Sequence, residues 1–430
     1  MKSINKLAVA ALLALSSASL ASAATTIIHV VGSTAYRVAD VTAECNYLHS
    51  LGSGTITATW FGASNGSLTG SNQSIVFGPV VSGNQTIFEN HFSGSVGGAQ
   101  ELTDPDTDSG FPSHTTYAGT AATVILGTGG TPASGGQQVA VASLVAESAV
   151  APDISFSDVF LDTAQQIFTP ANTPNENIVG VVPFKFVAGK GSPAGLINMT
   201  PQLFNFLWSN GTVPLSLFTG SSTDETAVVY ALGRDIDSGT RATAFSETGF
   251  GVITPPAQYY PYDTAANATA NGSTGVIGND PNAGTTINGI NFVPPETLDG
   301  IFMDVGQGGY NSGGNLATAM KTTNGMSNKW IVTYLGLSDA ASAIGTPGTQ
   351  AVEMKYNGVS FSAAAVQEGQ YTFWGYEHQF FNSNVSTVAN ALAAQIKSGD
   401  DASSSGGVTF TAMKVARSDD GQNVQPNFSF

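Results

Sequence analysis

Arg234-Asp235-Ile236-Asp237-Ser238-Gly239-Thr240-Arg241 follows the apolar run Ala227 to Leu232 and opens a stretch with helical spacing that begins near Ser238. A strand that stops at a polar turn and restarts as a helix is the unit from which α/β folds are built. The turn is also chemically loaded. The chain has only four arginines (Arg37, Arg234, Arg241 and Arg417), and two of them bracket this turn. A guanidinium offers a planar fork of donors that fits a tetrahedral oxyanion. Ser238, Gly239 and Thr240 stand where the helix starts, so open backbone N–H groups and the helix dipole favour a negative ligand there. The structural alternative is that Arg234 and Arg241 pair with Asp235, Asp237 or Glu247. We expect Arg241 to do so, and Arg234, at the strand end, to face the ligand.

Working outward, the same design recurs twice. Thr26 to Val31 reads as a short strand that ends at Gly32-Ser33-Thr34, ahead of a helical pattern from Ala35 to about Leu51. Gly94-Ser95-Val96-Gly97-Gly98 is the other instance. Each motif alone reads more simply as a cap on its helix. Further strands are expected at Ile154 to Phe160 (broken by Ser-Asp), Ile178 to Val187, Ile331 to Leu335, Ala351 to Tyr356 and Val408 to Val415, with a second apolar segment at Val139 to Ala146. Thr200 caps a helix with Pro201 at its first position, and Ser386 to Lys397 forms a late one. Residues 54–90 read as short strands and loops, 101–138 as loop, and 255–290 as a long polar insertion. Strands alternating with helices predict an α/β fold with largely parallel sheets. No internal repeat is present.

Composition bounds the class. Thirteen basic against 30 acidic residues give a net charge of -17, which argues against nucleic acid or an anionic membrane surface as partner. Lys2 and Lys6, the run Leu7 to Leu15 and the small residues Ala21-Ser22-Ala23 read as a secretory signal peptide, residues 1–23, cut ahead of Ala24. No Cys stands at that cut, and no later apolar run reaches the ~18 residues of a membrane helix. A periplasmic or secreted location is therefore expected. The single cysteine, Cys45, reads as a small buried hydrophobe on the first helix. Five histidines (His29, His49, His91, His114, His378) are scattered without ligand spacing, so no metal site is expected.

Here the motifs carry a resemblance. Arg234 to Thr240 resembles the Arg-x-x-x-Ser-Gly-Thr segment of the phosphate-binding proteins that feed bacterial ABC phosphate importers. Gly32-Ser33-Thr34 is similar to that family's first anion loop, Gly94 to Gly98 to its second, and Ser155-Phe156-Ser157-Asp158 to its Ala-Ser-Asp element. Ile197 to Leu203, Trp330 to Gly336, Tyr356-Asn357-Gly358-Val359 and Glu368 to Glu377 resemble its later segments. Stretches at about 53–85, 101–148 and 255–290 fall outside the likeness. Two positions depart from the pattern: Ala35 stands where the family has an aromatic residue, and Ile236 where it has Asp, with Asp235 and Asp237 on either side.

The resemblance implies a two-lobed type II periplasmic-binding-protein-like fold, α/β with Gly/Ser/Thr-rich loop inserts. It implies lobe one at 24–182 plus 340–430, lobe two at 183–339, and crossings near Val182 and Gly336. It implies one dehydrated anion held by Thr34, the Ala35 backbone, Ser95, Asp158, Arg234, Ser238, Gly239 and Thr240. Asp158 is an acceptor only, so it suits phosphate, which keeps a proton at neutral pH, over sulfate, which does not. Its structural alternative is a helix N-cap for the segment from Val159. No cofactor is implied; the expected partners are inorganic phosphate and an ABC-importer permease, for a monomeric chain.

Other classes fit less well. An enzyme would need a nucleophile beside a base; no Gly-x-Ser-x-Gly elbow is present and no His neighbours the candidate serines. A secreted adhesive protein would suit the inserts, but an outer-membrane barrel conflicts with the helical segments. Binding of another oxyanion, sulfate or molybdate, stays open. Thr103 to Gly110 resembles a calcium loop but lacks its closing Glu, Gly127 to Pro132 lacks the Lys of a phosphate loop, and Tyr371, Phe373, Trp374 and Tyr376 are expected in the core.

Overall fold

The computed structural model describes residues 24–427 apart from 62–67, 69–70, 105–109, 115–137, 140–145, 148–149, 262–285, 288–289, 293–296, 299–300, 303–307, 322–327, 346–349 and 399–406. The expected signal peptide, the Gly127 loop, the centre of the calcium-like turn and most of Val139 to Ala146 and of 255–290 lie outside the described residues.

A mixed α/β fold is built on a 12-stranded sheet. Its strands are β1 (Ala24–Gly32), β2 (Thr57–Phe61), β3 (Gln73–Phe77), β4 (Asn84–His91), β5 (Gln138–Val139), β6 (Ile154–Ser157), β7 (Asn175–Ala188), β8 (Thr212–Pro214), β9 (Val228–Ala231), β10 (Lys329–Gly336), β11 (Val352–Glu353) and β12 (Trp374–Phe381). In space they run β5-β2-β3-β4-β1-β6-β12-β7-β10-β9-β8, with β11 on β7. The helices that matter for the site are α1 (Arg37–Leu51), α2 (Ser95–Thr103), α3 (Leu161–Ala164), α4 (Pro201–Asn210), α5 (Gly239–Glu247), α6 (Gly313–Lys321) and α7 (Leu337–Ile344).

The sheet is mixed rather than largely parallel. β1 runs parallel to β4 and β6, and β9 to β10, whereas β12 runs antiparallel to both β6 and β7, and β10 antiparallel to β7. One strand joins the halves of the sheet. Residues 175–183 of β7 pair with β12, and residues 184–188 pair with β10. Its 14 residues exceed the Ile178 to Val187 read from the apolar run, because the polar Asn175-Glu176-Asn177 are paired with β12 although they break the hydrophobic pattern.

The expected strand at Val408 to Val415 does not form. Val408 makes a single bridge to Val181, and Phe410–Ala412 is a 3-10 turn. Val408 and Met413 are the buried residues, five positions apart, a spacing that a turn satisfies and strand alternation does not. α4 forms as its sequence dictates: the Thr200 side chain accepts from Leu203 N–H, Pro201 occupies the first turn, and Gly211 at φ 72° ends it. Its apolar face puts Phe204 on Trp208, ring centroids 4.1 Å apart, against Phe245, Phe250 and Tyr334. Cys45 and the aromatics Tyr371, Phe373, Trp374 and Tyr376 are buried, as expected.

Candidate functional site

Three strand ends deliver the first half of the site. β1 stops at Gly32, whose φ of 116° suits glycine, and a Cβ there would lie 2.0 Å from the Phe156 carbonyl oxygen. Ser33 N–H then donates to Phe156 O at 2.8 Å, and Thr34 to Tyr36 turn into α1, which begins at Arg37, two residues later than the pattern suggested. β4 leads through Gly94 (φ 115°) into α2, whose first residue is Ser95. β6 ends at Ser157, followed by Asp158.

The second half comes from the β9–α5 turn. Ser238 is the N-cap of α5, its hydroxyl accepting from Arg241 N–H at 3.3 Å. Arg234 forms a parallel bridge with Tyr310, its Nε donates to Tyr310 O at 2.7 Å and its Nη2 to Asn311 O at 3.2 Å. Those two bonds hold the guanidinium so that Nη2 also lies 3.4 Å from the Thr34 hydroxyl.

The two halves meet directly. Asp237 O accepts from Val96 N–H at 2.9 Å and Gly97 N–H at 3.3 Å. Asp158 Oδ1 accepts from the Ser95 hydroxyl, and Oδ2 from the Thr240 hydroxyl at 3.5 Å. Gly239 fits because it lacks a side chain: a Cβ would lie 1.6 Å from Asp158 Oδ1. At these positions glycine serves the mutual approach of the loops.

Thr34, Ser95, Asp158, Arg234, Gly239 and Thr240 are thus gathered and buried, none of the five with side chains more than 5% exposed. Ser238 stands beside them with its hydroxyl turned to its own helix, and Ala35 packs near Gly336. Asp158 is not a helix cap: Phe160 holds that position on α3, and the Asp158 carbonyl instead accepts from the Thr243 hydroxyl at 3.2 Å. Arg241 donates to Arg234 O at 3.3 Å and lies over the Phe245 ring, while Glu247 pairs with Arg417 at 3.1 Å.

Electrostatics tunes the carboxylate. Burial pushes Asp158 up to about 6, opposed by the Ser95 hydrogen bond and by the positive charge of Arg234. Asp339 on α7 is a second buried carboxylate, raised by burial and drawn back by Arg37 and Arg234. It supplies negative charge near the guanidinium from a different element than the flanking Asp235 and Asp237.

Sequence reasoning did not find Tyr310, Asn311, Tyr334 or Asp339. Tyr334 lends its hydroxyl to Arg234 N–H at 3.3 Å. A signal for the first two existed: Gly308-Gly309-Tyr310-Asn311-Ser312-Gly313-Gly314 has the small-residue turn and hydroxyl start of the other loops, and Ser312 accepts from Asn315 N–H at the head of α6. The histidines are not all scattered either. The fold places His29 and His114 on either side of Glu89.

No family model matches the chain, and no curated protein matches it in sequence. Among solved structures it is similar to a Clostridium perfringens protein solved with bound phosphate and described as a phosphate ABC transporter substrate-binding protein, at 10% identity and a TM-score of 0.46, over 89% of this chain and 99% of that one. It is similar to an ABC-type phosphate transport receptor from Vibrio cholerae at 11% identity and 0.42, over 89% and 99%. A phosphate-binding protein from Stenotrophomonas maltophilia matches at 11% and 0.38, over 90% and 91%. These are proteins of the kind that the motifs resemble; at such identities and scores the reading of the site rests on its own geometry.

Proposed function

We propose that this chain is an extracytoplasmic solute-binding protein that holds one inorganic oxyanion, phosphate, between two lobes and hands it to an ABC importer. The observation that carries the reading is the meeting of the Ser95 and Thr240 hydroxyls on a buried carboxylate, Asp158, within the field of Arg234, whose guanidinium lies at the Thr34 hydroxyl. Hydroxyls can turn. When a protonated oxyanion enters, its O–H donates to Asp158, and the Ser95 and Thr240 hydroxyls swing to its other oxygens. Arg234 supplies the positive charge, and N–H groups at the starts of α1 and α5 complete the donor shell, those of Val96 and Gly97 on α2 being taken up by Asp237 O. Sulfate brings no proton and would set an unpaired lone pair against the carboxylate, costing about 1–3 kcal/mol or more.

The geometry supports binding rather than catalysis: the buried hydroxyls of Ser95 and Thr240 face a carboxylate and that of Thr34 a guanidinium. In this reading the lobes are 24–182 plus 340–430 and 183–339. β7, which changes partner between Pro183 and Phe184, and the end of β10 at Gly336 then serve as the crossings about which the lobes part. Direct contact of the β9–α5 turn with α2 means that the anion enters by such an opening.

Calorimetric titration of ligand-stripped protein with phosphate and then sulfate at pH 7.5 is the test. Saturable phosphate binding at one equivalent, absent for sulfate and lost in Arg234→Ala, is the expected result. Sulfate binding would move the ligand to another oxyanion, and binding of neither would end the oxyanion reading.

A further inference from the structure

We propose that the chain carries a divalent transition-metal site built from His29, Glu89 and Glu147, backed by His114 and Asp153, apart from the anion site. His29 and Glu89 are register partners on the parallel strands β1 and β4, so their side chains leave the same face of the sheet. His29 Nε2 lies 3.2 Å from Glu89 Oε2 and 3.7 Å from Glu147 Oε2, and one ligand atom from each of the three side chains falls within 4.8 Å of the others. Ligand atoms that share one Zn²⁺ at about 2.0–2.2 Å stand about 3.0–3.6 Å from one another, so the three are close to the spacing a single ion requires.

The independent observation is the state of the ligand atoms. Glu89 is wholly buried, and its Oε2 and the buried Nε2 of His29 face one another 3.2 Å apart as an ion pair that falls short of hydrogen-bond geometry, with no hydrogen bond to any other group. Buried polar atoms are ordinarily satisfied, and a cation between these two satisfies both lone pairs at once. Around them the supporting contacts resemble those behind metal ligands. His29 Nδ1 lies 3.6 Å from Asp153 Oδ2, whose position is fixed by the His29 N–H at 3.0 Å. His114 Nδ1 lies 2.9 Å from the other Glu89 oxygen and 3.9 Å from Glu147 Oε1. Three carboxylates against two imidazoles leave an excess of negative charge that a divalent ion offsets. One imidazole nitrogen and two carboxylate oxygens, without thiolate, suit Zn²⁺, Mn²⁺ or Co²⁺.

The site also gives a task to a stretch outside the likeness to phosphate-binding proteins. His114 and Glu147 belong to segment 101–148, in which residues 111–114 and 146–147 are drawn together by the Pro112–Ala146 bridge and by Glu147 N–H donating to Phe111 O at 2.8 Å. The Phe111 ring covers His29 at 4.7 Å. An ion here clamps Glu147 to His29 of β1 and Glu89 of β4. His29 precedes Gly32 by three residues, which places the ion on the order of 10 Å from the anion loop.

Untagged protein, stripped with chelator and dialysed, is titrated with Zn²⁺ by calorimetry and with Co²⁺ by visible absorption. The expected result is one equivalent, bound at least about 50-fold more weakly by Glu147→Gln and by His29→Gln, with a Zn²⁺-dependent rise in Tm seen only in the parent. Glu147 is partly exposed, so Glu147→Gln keeps the test available if His29→Gln fails to fold. Phosphate affinity measured in parallel confirms that the variant is folded. Absence of saturable binding to the parent, or an affinity in both variants equal to that of the parent, overturns the site.

Discussion

At the scale of single residues, Asp158 decides most. Its carboxyl, unfolded near 3.8, rises to about 6 in the folded chain through burial. A raised folded value means that its stabilising contribution is complete below about pH 4 and is lost as the pH climbs through 6. Holding the ionised form at pH 7.5 therefore costs about 2–3 kcal/mol. Asp158→Asn removes that cost, so ligand-free Asp158→Asn protein should melt higher than the parent at pH 7.5 and no higher at pH 4.5; an equal Tm at both would show that no charge penalty exists. The same carboxyl sets selectivity. As it takes up a proton below about pH 6 it becomes a donor, and sulfate should begin to compete with phosphate, which competition calorimetry at pH 5 and 7.5 resolves. Gly239→Ala tests the close approach: its Cβ would overlap Asp158 Oδ1, so we expect a loss of about 1–3 kcal/mol in stability together with loss of phosphate binding.

At the scale of elements, helices capped by their own side chains were legible and the partner choices of strands were not. Thr200, Pro201 and Gly211 state the limits of α4 within the segment itself. Thr200→Ala should cost about 1 kcal/mol, seen in denaturant unfolding, and leave phosphate affinity unchanged, because the helix stands behind the site rather than in it. Ser238 carries its cap the same way on α5. By contrast, the polar start of β7 becomes strand only because β12 pairs with it, and Val408 to Val415 turns because Val408 and Met413 both reach the core. Tyr310 and Asn311 were missed for a related reason. Their contribution to Arg234 is made by carbonyl oxygens, which every residue possesses, so only the small-residue turn around them marks the place and their own side chains do not.

At the scale of the whole molecule, burial of acids sets the pH response. Asp40 and Glu44 lie one turn apart on α1, and Glu377 on β12 feels Asp40 and Asp158; burial holds all three well above the ordinary carboxylate range, with repulsion from Asp40 adding for Glu44 and from Asp158 and Asp40 for Glu377. Each folded value is raised, so the contribution of each is present below about pH 4 and declines as pH rises through the folded values. Thermal unfolding should therefore show maximal Tm on the acid side of neutrality with a fall toward alkaline pH. The double variant Asp40→Asn/Glu44→Gln should flatten that fall; an unchanged alkaline limb would place the effect elsewhere. Phosphate at about 100 times its Kd should add about 2.7 kcal/mol to stability if the native state alone binds it. A decrease in the radius of gyration on adding phosphate would support lobe closure.

What the sequence determined by itself was whatever is written in contiguous residues. Alternating apolar runs and helical spacing specify an α/β chain, Thr200 and Ser238 specify helix starts, and Ser95, Arg234 and Thr240 stand at the turns that lead from strand into helix. These features follow from backbone sterics and side-chain capping, which act over a few residues. Only the tertiary structure decided which distant residues meet. It brings Thr34 within 3.4 Å of the Arg234 guanidinium across 200 positions, seats Asp158 between the Ser95 and Thr240 hydroxyls, and sets Asp339 near the arginines. It also turns histidines that show no ligand spacing into neighbours of Glu89, because strand register is fixed by pairing and by which face is buried, neither of which a single segment contains.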